Sequence, residues 1–252
     1  MTGHEEELHR QIRIIQRLVR IALFGKKVIV HGEENFVPEG PNILVGNHIG
    51  SYKDVATLLS IVPRDIYFTA NQMIFDYSGF NRLIRSYLSK SFKEFGLFLY
   101  EFMTPLRIAF VNYVSTYISR IGTIPVDLEG SRRGAINRCR GYLAEGKAVV
   151  LLQGKGRIDK SCSFPYVSPF RRGAAIMSYN LLKENDLSVP VTPIAFFGTH
   201  LPYVVPARIH VNVGPPLHIE DFWAGDFPET VERFSREMEK RVRSLFREIV
   251  RP

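Results

Sequence analysis

Residues 44–54 read LVGNHIGSYKD and combine a short apolar strand, a polar turn and the start of a helix. The strand pattern ends at Gly46, and Asp54 opens an apolar helical pattern that continues to Val62. In α/β sheets, functional side chains usually lie in the loops at the carboxyl ends of strands. The turn that carries His48 is therefore the first place to look for a functional site.

Short apolar runs alternate with helical patterns along the rest of the chain. Several runs are almost wholly apolar, which is typical of strands covered on both faces. This alternation predicts an α/β sheet with crossover connections. The predicted strands are 28–30, 43–45, 66–69, 123–126, 148–152, 189–195 and 209–213, and the predicted helices are 54–62, 79–93, 132–144 and 173–183.

Amphipathic helices are predicted at both ends of the chain. Near the N-terminus, Leu8, Ile12, Ile15, Val19 and Ala22 share one helix face, and arginines repeat on the other side. Two interpretations stay open: a helix packed on the domain with a solvated basic face, or a helix lying on an anionic bilayer. We expect residues 1–27 to form this element and residues 28–252 to form one domain. The C-terminal stripe within residues 231–249 is interpreted as core packing.

An apolar, aromatic stretch over residues 95–118 is the nearest approach to a membrane-spanning segment. It contains Glu101, Pro105 and Arg107, so it is predicted to be buried or interfacial and not to span a bilayer.

Charge and cysteine content narrow the function classes. The chain has 33 Lys and Arg against 25 Asp and Glu, a formal charge of +8, which suits an anionic partner. No nucleic-acid recognition motif accompanies this charge, so nucleic acid is not the expected partner. Cys139 and Cys162 have no metal-type spacing and are predicted to be free thiols. The sequence shows no cluster of His, Cys and carboxylate residues, so no metal site is predicted.

His48 and Asp54 have the chemistry of a general base and its orienting acid. Imidazole can accept a proton near neutral pH. A carboxylate bonded to its second nitrogen would set the tautomer and stabilise the imidazolium that forms.

The same residues resemble the catalytic motif of the glycerolipid acyltransferase family, in which Asn-His is followed by Ser, an aromatic residue and Asp. Here five residues separate His48 from Asp54 where the family has four, and the extra residue is expected to be absorbed at Gly50. Further segments, at 122–127, 147–157, 168–175 and 189–195, are similar to the family's later blocks and follow in the same order. Leu128 stands where an Arg is usual, and Gln153 where a Glu is usual.

The resemblance implies a single mixed, largely parallel sheet flanked by helices, and an enzyme that moves a fatty acyl group from a thioester to a lipid hydroxyl. The implied donor is acyl-CoA or acyl carrier protein, with no other cofactor, and the implied acceptor is a glycerol phosphate or lysophospholipid. A peripheral position on the cytoplasmic side of an anionic membrane is expected. His48 and Asp54 are the predicted catalytic residues, and the predicted substrate-binding residues are Asn47, Ser51, Arg132, Arg133, Gln153, Gly154, Lys155 and Arg157.

A second hypothesis is a non-catalytic lipid-binding protein built on the acyltransferase fold. The lengthened turn between His48 and Asp54, together with Leu128 and Gln153, favours it.

Overall fold

The structure is a computed structural model that describes residues 15–118, 123–127, 133–158, 163–202 and 205–250. Residues 1–14, Leu128, Arg132 and Cys162 lie outside the described residues, so the predictions made for them are not examined. The strands are β1 Lys26–His31, β2 Asn42–Asn47, β3 Ile66–Asn71, β4 Thr123–Val126, β5 Ala148–Gln153, β6 Val191–Phe197 and β7 Ala207–Val213. The helices are α1 (residues 15–22), α2 Tyr52–Ile61, α3 Tyr77–Phe102, α4 Thr104–Tyr117, α5 Arg133–Ala144, α6 Gly173–Asn185 and α7 Phe227–Val250.

The seven strands form one mixed sheet in the order β1-β7-β6-β2-β5-β3-β4. The β6–β7 pair is antiparallel, whereas β2 is parallel to both of its neighbours, β5 and β6. The predicted single, largely parallel sheet flanked by helices is confirmed. In the register of the sheet, Asn47 at the end of β2 lies beside Gln153 at the end of β5. The loops that follow β2 and β5 therefore leave the sheet side by side.

Contacts divide the chain into two compact units, one made of Met1–Tyr67 with Arg138–Pro252 and the other of Phe68–Asn137. The boundary falls between Tyr67 and Phe68, inside β3. The predicted division at residue 27 stays a prediction, because residues 1–14 are not described.

The core of the first unit follows from the apolar strands. Every residue of β2 is buried, as expected for a central strand covered on both faces. Helix α7 packs on β6, β7 and β2 through the predicted stripe, of which Val231, Phe234, Met238 and Val242 are almost fully buried. The prediction of core packing for this helix is confirmed. Cys139 is a free, buried thiol, and burial raises its pKa to about 12.

The second unit contains a helical hairpin that the sequence pattern only partly predicted. Helix α3 was predicted to end at residue 93 but continues to Phe102, and α4, with Pro105 in its first turn, was not predicted as a helix. Proline is tolerated there because the first amides of a helix have no intrahelical partner. Arg107 closes the hairpin: its guanidinium lies over the ring of Tyr100 at 3.8 Å and donates to the Tyr100 hydroxyl at 2.7 Å.

Candidate active site

The centre of the candidate site is a hydrogen-bonded pair formed by His48 and Asp54. Nδ1 of His48 lies 2.8 Å from Oδ2 of Asp54. The carboxylate is fully buried, whereas the imidazole keeps about a quarter of its surface exposed, at 25%. The buried acid holds one ring nitrogen, and Nε2 is left as the nitrogen that can exchange a proton with a bound molecule.

Asp54 owes its position to the start of α2. The same Oδ2 atom accepts the amides of Ile49 at 3.0 Å and Gly50 at 2.7 Å, so the carboxylate closes the turn that carries His48. The negative charge also lies in the first turn of a helix, where the helix dipole favours it. These two amides are consequently committed to Asp54 and are not available to stabilise an oxyanion.

The longer turn brings the two side chains together by a route that differs from the predicted one. Ser51, not Gly50, has the left-handed backbone conformation in this turn, with φ 55° and ψ −125°. Such a conformation costs a non-glycine residue about 1–3 kcal/mol and is typical of functional sites. Gly50 is required for another reason, because a Cβ there would lie 2.3 Å from Cβ of Thr199. The prediction that Gly50 absorbs the insertion is therefore wrong.

The loop after β5 covers one side of the imidazole. The amide of Gly156 donates to the carbonyl of His48 at 3.1 Å, and the amide of His48 donates to the carbonyl of Gln153 at 2.8 Å. A Cβ built on Gly156 would lie 3.0 Å from Nε2 of His48 and 3.2 Å from Cα of Ser51. A glycine at 156 thus leaves the space next to the proton-exchanging nitrogen open, and Ser51 borders the same space.

Comparisons with known proteins match this chain to a family model and to solved structures. Residues 27–93, which include the His48 turn, match the family model described as Acyltransferase. The segment that carries His48 and Asp54 is thus similar to the acyltransferase family. The crystal structure of the 1-acyl-sn-glycerophosphate (LPA) acyltransferase PlsC from Thermotoga maritima has the same fold, with a TM-score of 0.57 and 17% identity over 100% of this chain and 85% of that one. No curated protein sequence matches.

The match over residues 27–93 confirms the resemblance drawn from the sequence, and the structural match confirms the fold. At 17% identity the likeness to the solved structure concerns the fold alone.

Asn47 precedes His48 but does not reach the surface of the site. Its side chain is fully buried, donates to the carbonyl of Phe196 at 3.0 Å and accepts the amide of Phe196 at 2.8 Å. The Asn47 side chain therefore links the end of β2 to β6 through two hydrogen bonds to the backbone of Phe196. The geometry gives Asn47 a positioning role, and its predicted contact with substrate stays a prediction.

The predicted anion-binding residues lie on the loop after β5. Lys155 and Arg157 are exposed on either side of the buried Gly156, and Gly154 adopts φ 135°. Gln153 is nearly buried, and its Oε1 accepts the amide of Arg171 at 3.3 Å. Of these loop residues, the two cations present charge to the outside. Arg133 is exposed at the start of α5 in the other compact unit, and its predicted contact with substrate stays a prediction.

Lys53, Thr199 and His200 are three polar residues near the site that sequence reasoning did not select. Lys53 is 6% exposed and donates to the carbonyl of Leu201, while burial and the nearby Lys26 lower its pKa and Asp54 opposes that shift. Burial and Lys53 also lower the pKa of His200.

Thr199 and His200 follow β6 directly, at the same edge of the sheet as His48. The Thr199 hydroxyl is buried, with no hydrogen-bond partner in the described part of the chain, and so is Nδ1 of His200. Their position after a buried strand was the signal that could have found them. Among the described residues, no three His, Cys, Asp or Glu side chains converge as a metal site requires.

Proposed function

We propose that this acyltransferase moves a fatty acyl group from a thioester donor to a hydroxyl of a glycerol phosphate or lysophospholipid, with His48 as the general base. The observation that carries the proposal is the 2.8 Å contact between His48 Nδ1 and the buried carboxylate of Asp54. It leaves a partly exposed imidazole whose Nε2 lies beside Gly156, which has no side chain to fill that space.

The reaction follows from the chemistry of the pair. The acceptor hydroxyl gives its proton to Nε2 of His48 as its oxygen attacks the thioester carbonyl. Asp54 stabilises the imidazolium that results, a contribution that is typically about 10²–10⁴-fold for general-base catalysis. The tetrahedral intermediate then collapses: the C–S bond breaks, and the leaving thiolate takes the proton from the imidazolium. Because the amides of Ile49 and Gly50 are bonded to Asp54, the hydroxyl of Ser51 is our choice for stabilising the oxyanion.

Charge supports the class of substrate. Lys155 and Arg157 are exposed on the loop that covers His48, and the chain carries a formal charge of +8. A phosphate on the acceptor, or the phosphates of acyl-CoA or of acyl carrier protein, would complement these cations. The loop therefore suits an anionic substrate whose reacting oxygen lies near Nε2.

The hypothesis of a non-catalytic lipid-binding protein loses one of its three supports. The longer turn between His48 and Asp54 favoured it, and that turn closes with the two side chains in contact. Gln153 is bonded to a backbone amide, so its lack of charge leaves the His48–Asp54 pair unaltered.

The test is acyl transfer from labelled acyl-CoA and acyl carrier protein to a panel of glycerol 3-phosphate, lysophosphatidate and neutral lipid alcohols. We expect wild-type protein to form product and His48→Ala to lose about 10²–10⁴-fold in rate.

His31→Ala is the matched control. His31 ends β1, which runs opposite to β2 in the sheet, so it lies at the other edge. The His31→Ala protein should retain full activity. Near-normal acyl transfer by a folded His48→Ala protein would show that His48 is not the general base. If the wild type forms no product with any pair of donor and acceptor, the lipid-binding hypothesis is favoured instead.

A further inference from the structure

The end of the α3–α4 hairpin exposes an unusual amount of apolar surface. We name residues 95–113 the hairpin tip. Nine of the large apolar side chains described within this tip are exposed, among them Phe98 at 63%, Phe102 at 74% and Leu106 at 63%. Contiguous apolar patches are rare on soluble proteins and mark interaction sites.

The exposed side chains point to both sides of each helix. On α3, Phe95, Phe98 and Phe102 form one stacked ridge, with ring centroids 6.2 and 6.0 Å apart. Leu97 is also exposed but lies roughly opposite this ridge, given 3.6 residues per turn. A protein partner that docks on a helix covers a single apolar face. Exposure on both sides is better explained by an apolar medium that surrounds the tip.

The same arrangement holds on α4. Leu106 and Phe110 are exposed on one side, and Ile108 is exposed on the other. The one cation in the tip, Arg107, is engaged with Tyr100 inside the hairpin and so does not charge the outer surface. Glu101 is the one acid in the sequence of the tip, and it is exposed.

Positive charge precedes the tip along α3. Arg82 and Arg85 are exposed, and Lys90 and Lys93 follow them in the sequence against a single acid, Glu94. Cations behind an aromatic, apolar end match the polarity of an anionic bilayer, in which headgroups lie above the acyl region. None of the helices in the described part of the chain has the length and apolar character that crossing a bilayer requires.

We propose that the hairpin tip inserts into one leaflet of an anionic lipid bilayer. Phe95 and Phe102 are about 10 Å apart along the axis of α3, which matches the depth reached by interfacial helices. Arg82 and Arg85 would then face the lipid phosphates. The proposal goes beyond the acyl transfer reaction and does not depend on it.

The first experiment is flotation with vesicles of phosphatidylglycerol and phosphatidylcholine. Phe95→Ser, Phe98→Ser and Phe102→Ser together should weaken binding on the order of 100-fold or more, because three exposed rings no longer enter the acyl region. Val205→Ser, Trp223→Ser and Phe227→Ser together are the matched control, since they also remove three exposed apolar side chains but lie outside both the tip and the N-terminal helix. The control should lose less than about tenfold.

A second measurement reports insertion directly. Trp223 is the one tryptophan of the chain, so Phe98→Trp in a Trp223→Phe background places a single reporter in the tip. We expect its emission to shift to the blue on vesicles and to be quenched by lipids brominated near the top of the acyl chains. Circular dichroism and thermal melting of every variant check that the fold is retained.

Several outcomes would overturn the proposal. If the triple substitution in the tip leaves vesicle binding intact, or if the control triple substitution weakens binding as much, the lipid contact lies elsewhere. An unshifted emission of the reporter tryptophan in vesicle-bound protein excludes insertion. A lipid-free dimer that the tip triple dissociates, without vesicle binding by wild type, assigns the tip to a second copy of the chain. His48→Ala should bind vesicles like wild type, so a failure of acyl transfer alone leaves this proposal intact.

Discussion

Replacing Gly156 by alanine tests whether the space next to His48 is used in the reaction. A Cβ at this position would lie 3.0 Å from Nε2 and 3.4 Å from Cδ2 of His48. Ordinary contacts between such atoms are about 3.5–4.0 Å. The ring is held by Asp54 through Nδ1 and the main chain of His48 by Gln153 and Gly156, so it cannot retreat without disturbing the pair.

The expected size of the effect follows from these distances. A general base must approach the proton donor to about 2.6–3.2 Å, and the added methyl group would compete with the acceptor hydroxyl for the same space. A displacement on the order of 1 Å in a reacting group can cost about 10²-fold in rate. We therefore expect Gly156→Ala to lower kcat/KM about 100-fold or more.

Gly25→Ala separates this effect from backbone strain. Gly25 has φ 69°, against 70° for Gly156, and a Cβ there would meet nothing within 4 Å. Both substitutions should cost about 1–2 kcal/mol of stability because a side chain is placed in the left-handed region. Both melting temperatures should therefore fall by about 2–8 °C.

The assay is steady-state acyl transfer with the best donor and acceptor pair, measured beside thermal unfolding. If Gly156→Ala works within threefold of Gly25→Ala, the space beside Nε2 is not where the acceptor reacts, and the steric reasoning is refuted.

Three further substitutions test the surroundings of the pair. Asp54→Asn should reduce kcat about 10²–10⁴-fold in the acyl transfer assay, because a neutral amide no longer stabilises the imidazolium of His48; activity near that of wild type would contradict this role. Asn47→Leu should lower the free energy of unfolding, measured in urea, by about 2–4 kcal/mol, because it leaves the buried amide and carbonyl of Phe196 without partners. A loss below about 1 kcal/mol would contradict the positioning role of Asn47. The pKa of Lys53 is lowered from 10.5 in the folded protein, so the unfolded chain binds this proton more tightly. The free energy of unfolding of the wild type should therefore rise with pH just below 10.5, by at most about 1.4 kcal/mol per pH unit. Lys53→Met should remove that rise in urea unfolding at pH 8 and pH 10, and an identical rise in both proteins would show that it has another source.

Much of the fold could be predicted from local patterns, because burial leaves a direct trace in residue type. A central strand such as β2 must be apolar on both faces, and α7 must bury a stripe at helical spacing. Both features could be predicted from the sequence alone, and the motif of His48 and Asp54 could be recognised there too. The resemblance to the acyltransferase family rested on this motif together with the four later segments in the same order.

The contact between His48 and Asp54 depends on parts of the chain that lie far apart in sequence. The turn closes because Ser51 accepts a positive φ and Gly50 packs against Thr199 after β6. Asn47 resembled a substrate ligand in the motif, but the neighbouring strand β6 uses both of its polar groups. No local pattern specifies which strand becomes a neighbour.

The hairpin shows the same limit for exposed surface. Residue type established by itself that residues 95–118 are apolar, and that His48 and Asp54 have complementary chemistry. Only the tertiary structure decided that most of the described aromatic side chains of this stretch are exposed and that the side chains of His48 and Asp54 meet. The physical reason is that hydrophobicity and hydrogen-bonding capacity belong to a residue, whereas burial and contact belong to the neighbours that the folded chain supplies.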